Sequence, residues 1–127
     1  MSKKQAILLA GAFFLIYIAP LGLRPLFFPD ETRYAEIPRE MRASGDWVVP
    51  RLNGFLYFEK PVLGYWLNAV SQELFGETRF AVRLPSALAA GLSVLSILLL
   101  LGRRKSEDSA IALIASGLFL ICPLVFM

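Results

Sequence analysis

The chain has 127 residues, 57% of them hydrophobic and 18% charged, with a mean hydropathy of +0.61. A soluble domain carries about 25% charged residues, so this composition excludes an ordinary water-soluble globule and points to an integral membrane protein. The net charge of +3 does not mark a nucleic-acid surface: Arg24 to Arg83 holds eight basic and eight acidic residues, and the excess sits at Lys3-Lys4 and Arg103-Arg104-Lys105, on the flanks of apolar runs.

Gln5 to Leu23 is a run of 19 uncharged residues, and as a helix it would extend about 28 Å, against a hydrocarbon core of roughly 30 Å. A secretory leader has a shorter apolar region and a small-residue cleavage site. Here Leu23-Arg24-Pro25-Leu26-Phe27-Phe28 follows, so residues 1–23 read as a short tail and an uncleaved first transmembrane helix.

Residues 24–83 form a polar segment with two helical patterns. Over 31–44, Tyr34, Ile37 and Met41 make one stripe, with Arg33, Glu36, Glu40 and Arg42 away from it. Gly45 is the predicted stop, and Pro38 predicts a kink or a division. Gly45 to Glu59 reads as a loop or short extended piece around Trp47-Val48-Val49-Pro50. Pro61 then opens a second helix over 61–75, with Leu63, Trp66, Leu67, Val70 and Leu74 on one face. At about 22 Å it is too short to cross a bilayer, so it is expected to lie along the interface with Tyr65 and Trp66 at headgroup level.

Leu84 to Leu101 reads as a second span, with Pro85 in its first turn and Gly102 after its end. Residues 102–109 read as a cytoplasmic loop, and 110–127 as a third span that ends without polar flanks, as in a truncated chain. Together these elements predict an all-α integral membrane fold: three transmembrane helices, with two interfacial helices in the first outer loop. Basic residues mark the cytoplasmic side of a membrane. The N-terminus is therefore expected inside and residues 24–83 outside.

The chain has no histidine, which removes the commonest near-neutral acid/base and metal ligand, and with it a Ser-His-Asp triad. Cys122 is the single cysteine and forms no disulfide framework within the chain. Chemistry then falls to carboxylates, Lys, Arg and Tyr, four of which mark the starts of the two outer helices. Asp30 is a natural N-cap, and Glu59 is a favourable charge near a helix N-terminus. Lys60 does not suit that place, because a cation beside the positive end of a helix is disfavoured unless an anion sits there too. Lys60, a helix N-terminus and Arg33 would together form a phosphate site. The plainer alternative is that Lys60 pairs with Glu59 or a lipid headgroup. Phe27, Phe28, Phe55, Tyr57, Phe58, Tyr65 and Trp66 suit a sugar or lipid pocket, and equally suit interface anchors.

Three strings, Pro29-Asp30-Glu31-Thr32-Arg33-Tyr34-Ala35-Glu36, Gly45-Asp46-Trp47-Val48-Val49-Pro50 and Tyr57-Phe58-Glu59-Lys60-Pro61 followed by Gly64-Tyr65-Trp66, give the segment a family likeness. It resembles the first outer loop of the bacterial 4-amino-4-deoxy-L-arabinose transferases of lipid A. Those enzymes belong to the polytopic GT-C type glycosyltransferases that draw on lipid-phosphate sugars and include the protein O-mannosyltransferases. The resemblance implies an N-terminal portion of a longer inner-membrane enzyme with the loop in the periplasm. It would move aminoarabinose from undecaprenyl phosphate to a lipid A phosphate, a lipopolysaccharide modification tied to polymyxin resistance. It implies that Asp30 is the catalytic carboxylate and Lys60 a phosphate contact, with Arg33 and Tyr34 contacting donor or acceptor phosphate. Glu59 matches a ligand of a structural zinc whose histidine partners lie in later loops; within this chain no cofactor is implied. The implied partners are the undecaprenyl-phosphate sugar, lipid A and membrane lipids, with no nucleic acid. The alternatives are a relative using a mannosyl or galacturonosyl polyprenyl-phosphate donor, and a non-catalytic three-span protein that binds lipid phosphates.

Overall fold

The computed structural model describes residues 3–101 and 106–121. Gly102, the basic run Arg103 to Lys105, Cys122 and the last residues of the third apolar run lie outside the described residues. The chain divides into two compact units, one of residues 17–85 and one built from the described parts of 1–16 and 86–127.

The first apolar run is helical, but its pitch changes twice. Helix α1 covers Lys3–Phe13, a π turn follows at Phe14–Ile18, and a 3-10 turn at Ala19–Gly22. Pro20 accounts for the change, because it has no N–H to donate and its ring crowds the carbonyl four residues back, that of Ile16. The turn closes with Leu23 N–H on the Pro20 carbonyl at 3.0 Å.

Helix α2 covers Asp30–Ser44 and α3 covers Val62–Phe75, within a residue or so of the sequence expectation. Gly45 ends α2 in the left-handed region, φ 73°, and donates to the Met41 carbonyl at 3.0 Å. Between the two helices the expected loop contains a hairpin, which corrects the all-α expectation to a mostly helical fold. Strand β1, Arg51–Leu52, pairs antiparallel with β2, Phe55–Leu56. The two-residue turn Asn53-Gly54 has φ 54° and 80°, the left-handed values that Asn-Gly adopts at least cost. Glu40 of α2 holds this turn by accepting from the N–H groups of Asn53 and Gly54 at 2.5 and 3.0 Å.

The core of the 17–85 unit is Ile37, Met41 and Tyr65, with Tyr34, Leu52 and Tyr57 packed around it. Tyr65 is 1% exposed, so it is a core residue and not the headgroup anchor expected. Burial of its ring pushes its pKa up to about 12. Helix α3 buries Tyr65, Asn68, Ala69, Ser71 and Gln72, whereas Leu63, Trp66, Leu67, Val70 and Leu74 are exposed. Its polar face is inward and its apolar face outward, the reverse of a surface helix in water.

The inward polar residues have a specific task. Pro38 does not divide α2, which runs unbroken through it, but its missing N–H leaves the Tyr34 carbonyl without a helical partner. Gln72 Nε2 reaches that carbonyl at 3.4 Å and the adjacent Ala35 carbonyl at 3.0 Å. Helix α4, Arg79–Leu101, contains Pro85, which likewise orphans the Ala81 carbonyl. Ser71 Oγ donates to that carbonyl at 2.6 Å in a buried setting. Neighbouring residues of α3 thus satisfy the acceptors that two prolines free in two other helices, and satisfied carbonyls are a condition of burying them.

Helix α4 starts five residues before the expected Leu84, so Pro85 is interior to it and not in its first turn. Thr78 sets the earlier start: its Oγ1 accepts from Ala81 N–H at 3.1 Å, an N-cap bond. Among the described residues α4 is the one helix long and apolar enough to cross a membrane, with a mean hydropathy of 1.8 over an 18-residue stretch of residues 79–100. In the other unit, Gly91 of α4 lies so close to Phe13 of α1 that a Cβ there would meet the ring at 2.9 Å. Helix α5 covers Ser106–Ile121, so residues 106–109 of the expected loop are helical.

Candidate functional site

Asp30 is the first residue of α2, and Lys60 stands just ahead of α3. Packing of α3 on α2 brings these distant positions together, with Lys60 Nζ 3.9 Å from Asp30 Oδ1. Arg33, one turn further along α2, places Nη1 3.9 Å from Asp30 Oδ1 and 3.6 Å from Glu59 Oε2. Two tyrosines wall the cluster. Lys60 Nζ lies 5.2 Å from the centre of the Tyr34 ring, and Arg33 Cζ lies 5.7 Å from that of Tyr57, both within cation–π range. Gly64 permits the approach of Tyr34, since a Cβ on it would stand 3.4 Å from Tyr34 Cε1. Tyr57 O–H donates to the Glu59 carboxylate, which raises the phenol above its ordinary pKa. Asp30, Arg33, Tyr34, Glu59 and Lys60, all singled out in the sequence, therefore share one cluster. Tyr57, read there only as one aromatic among several, belongs to it too.

Two expectations need correction. Asp30 is not the N-cap of α2: the cap position is Pro29, and no side chain caps the helix. Glu31 instead accepts from Phe27 N–H at 2.6 Å, and Thr32 Oγ1 donates to the Pro29 carbonyl at 2.8 Å. The Asp30 carboxylate is thereby left 60% exposed. Lys60, for its part, pairs with Asp30 and not with Glu59.

Most ion pairs of the unit outside this cluster are short, Arg42–Glu77 at 3.6 Å being the exception. Arg83–Glu31 at 2.7 Å, Arg42–Glu73 at 2.8 Å and Arg39–Glu36 at 2.5 Å are hydrogen-bonded. The three contacts of Lys60 and Arg33 lie at 3.6–3.9 Å, too long for hydrogen bonds. Exposed pairs of that kind stabilise by at most about 1 kcal/mol. The two cations therefore keep donors for an anion that draws them closer, and a phosphate has the charge and acceptors to do so.

Glu59 and Asp30 are the carboxylates here, and among the described residues no group of three His, Cys, Asp or Glu gathers to hold a metal ion. Glu59 is also engaged by Tyr57 and Arg33. The donor set present does not by itself fit zinc.

Glu31 and Arg83 carry the firmest polar contact of the unit, and sequence reasoning passed over both, using Arg83 only as a segment boundary. The Arg83 guanidinium, together with the Phe27 N–H and Arg24, holds the Glu31 carboxyl below its ordinary pKa of 4.5. A depressed carboxylate adds stability that is full above its unfolded pKa and lost as pH falls through the folded value. Thermal stability in detergent is thus expected to drop below about pH 4.5, and Glu31→Gln to lessen that drop. An acid titration of stability that Glu31→Gln leaves unchanged would rule this linkage out.

The chain matches the crystal structure of ArnT from Cupriavidus metallidurans in the apo state with a TM-score of 0.80 at 37% identity, over 96% of this chain and 22% of that one. The same enzyme bound to undecaprenyl phosphate matches with a TM-score of 0.81 at 36% identity, over 98% and 23%. These likenesses define the class of fold, a mostly helical one consistent with the GT-C membrane fold.

The model of the dolichyl-phosphate-mannose-protein mannosyltransferase family matches residues 4–127, and the chain belongs to that family. Within it, the undecaprenyl phosphate-alpha-4-amino-4-deoxy-L-arabinose arabinosyl transferase of Aeromonas salmonicida is 62% identical over 85 residues, 67% of this chain and 16% of the relative. A second such transferase, from Proteus mirabilis, is 50% identical over 125 residues, 98% of this chain and 22% of the relative. The chain thus spans about a fifth of the length of the relatives it matches.

Proposed function

We propose that this chain is the N-terminal portion of a bacterial inner-membrane transferase that moves 4-amino-4-deoxy-L-arabinose from undecaprenyl phosphate to a phosphate of lipid A. The observation that carries the reading is the meeting of Lys60 and Arg33 with Asp30 in loose ion pairs that an anion can replace. The names of the arabinosyl transferases that the chain resembles support the sugar and the carrier. In this reading the chain contributes three spans, with α2 and α3 at the periplasmic surface and the N-terminus in the cytoplasm. The outward apolar face of α3 supports its place at the interface.

The mechanism follows from charge. Departure of the carrier phosphate leaves an oxocarbenium-like sugar. Lys60 and Arg33 stabilise the charge that builds on the leaving phosphate, the kind of electrostatic contribution that is commonly the largest in catalysis. Tyr34 walls the phosphate position beside Lys60. Asp30 orients the acceptor and faces the cationic sugar. Glu59 would serve as a zinc ligand only with histidines from elsewhere in a longer polypeptide, and no step depends on it.

The test is the lipid A of a transferase-deficient bacterium supplied with the complete polypeptide carrying this segment. Mass spectrometry is expected to show addition of an aminodeoxypentose, and Lys60→Met to reduce it roughly 100-fold or more. A hexose or uronic acid increment would move the donor to another polyprenyl-phosphate sugar. No increment from a stably inserted protein would overturn the reading.

A further inference from the structure

Asp30 and Glu31 are adjacent carboxylates, and nothing in their order along the chain divides their tasks. The structure does. Glu31 Oε1 accepts from Arg83 Nε at 2.8 Å and from Arg24 Nη2 at 3.2 Å, and its Oε2 accepts from Arg83 Nη2 at 2.7 Å and Phe27 N–H at 2.6 Å. Arg83, with its side chain 7% exposed, turns its remaining donors to backbone carbonyls. It reaches Leu21 at 2.6 Å, Arg24 at 3.0 Å and Pro25 at 2.7 Å. All five N–H groups of the guanidinium are used.

One side chain from α4 thereby fixes the end of the first apolar run, the turn that follows it, and the first turn of α2. Asp30 sits in that first turn. Its own contacts are the loose ion pairs to Arg33 and Lys60, too weak to set its place. Its position is inherited from the backbone that Glu31 and Arg83 hold.

We propose that Arg83 is a positioning residue for Asp30, acting through Glu31, so that of the two neighbouring carboxylates one faces substrate and the other anchors the helix start. The proposal rests on the role given to Asp30 above. Lysine cannot replace Arg83, because its ammonium has three donors and no planar fork, and cannot engage both carboxylate oxygens and three carbonyls at once.

The test compares Arg83→Lys, Glu31→Gln and Asp30→Asn in the complete polypeptide, purified in detergent. Folded fraction is taken from thermal unfolding, and kcat and donor KM are measured per folded molecule. Arg83→Lys is expected to lower kcat about 10- to 100-fold, with donor KM changed less than about threefold, since the phosphate-binding cations stay in place. Glu31→Gln, which keeps one acceptor oxygen, is expected between that variant and the parent. Should Arg83→Lys lower only the yield, with kcat per folded molecule intact, the residue is structural and the positioning role is overturned. If that variant does not accumulate, Glu31→Gln decides, and an unchanged kcat in it refutes the role. A fully active Asp30→Asn removes both the site reading and this proposal, whereas an inactive Asp30→Asn beside a fully active Arg83→Lys removes the proposal alone.

Discussion

Replacing Asp30 with Asn is expected to reduce sugar transfer by roughly 100- to 1,000-fold, the range associated with loss of one group that stabilises transition-state charge, while leaving the protein folded. The two halves of that expectation have separate grounds. The Asp30 carboxylate is 60% exposed and caps no helix, and its ion pairs at 3.9 Å to Lys60 and Arg33 add at most about 1 kcal/mol to stability. Its loss therefore changes thermal unfolding little. Function is another matter, because Asn keeps the shape but not the negative charge. That charge faces the place where a cationic sugar would develop opposite Lys60 and Arg33. An acceptor phosphate is itself an anion and needs little deprotonation, so orientation and support of positive charge are the tasks lost. Lipid A mass spectrometry measures the transfer. Turnover equal to the parent would take Asp30 out of the mechanism.

The largest effect on stability is expected at the repair of the prolines. Ser71→Ala removes the buried donor to the Ala81 carbonyl and leaves that acceptor unsatisfied, a loss of about 1–3 kcal/mol. Gln72→Leu does the same to the Tyr34 carbonyl, and takes a second donor from the Ala35 carbonyl, which keeps the Arg39 N–H within the helix. Each loss has its own remedy. Pro85→Ala returns an N–H to the Ala81 carbonyl within α4, and Pro38→Ala returns one to Tyr34 within α2. Thermal unfolding of Ser71→Ala, Pro85→Ala and the double variant forms a cycle in which the unfolded-state effect of losing proline cancels. The double variant is expected to recover most of what Ser71→Ala loses. Simple additivity of the two changes would show that Ser71 does not stand in for the missing N–H.

Much of the fold is written locally. The stripe of Tyr34, Ile37 and Met41, stopped by Gly45, marks α2, and Pro61 to Gly76 brackets α3, because helix period and punctuation are properties of neighbouring residues. The hairpin was also legible in Asn53-Gly54, a pair that takes left-handed backbone values at least cost, although its strands are too short to show an alternating pattern. Thr78, a cap residue ahead of Arg79, signalled the true start of α4, but the charges at Arg79 and Arg83 conceal that start when a helix is sought only as an uncharged run.

The residues of the candidate site were legible as types, since a lysine at the positive end of a helix is out of place without an anion. That Asp30 and Lys60 meet is a tertiary fact: α3 must first pack on α2, and local pattern carries no distance between separate helices. The same holds for the division between Asp30 and Glu31, which depends on Arg83 arriving from a third helix. It holds for Ser71 and Gln72 as well. A serine and a glutamine inside a helix look like solvent-facing residues until folding places beside them the carbonyls that Pro85 and Pro38 have released. Which segments become helices, and which residue types are available for chemistry, can be read along the chain, because those depend on adjacent residues. Which polar groups bind one another and which stay open to an anion cannot, because hydrogen bonds and ion pairs are settled at distances of a few ångströms between parts of the chain that the linear order keeps far apart.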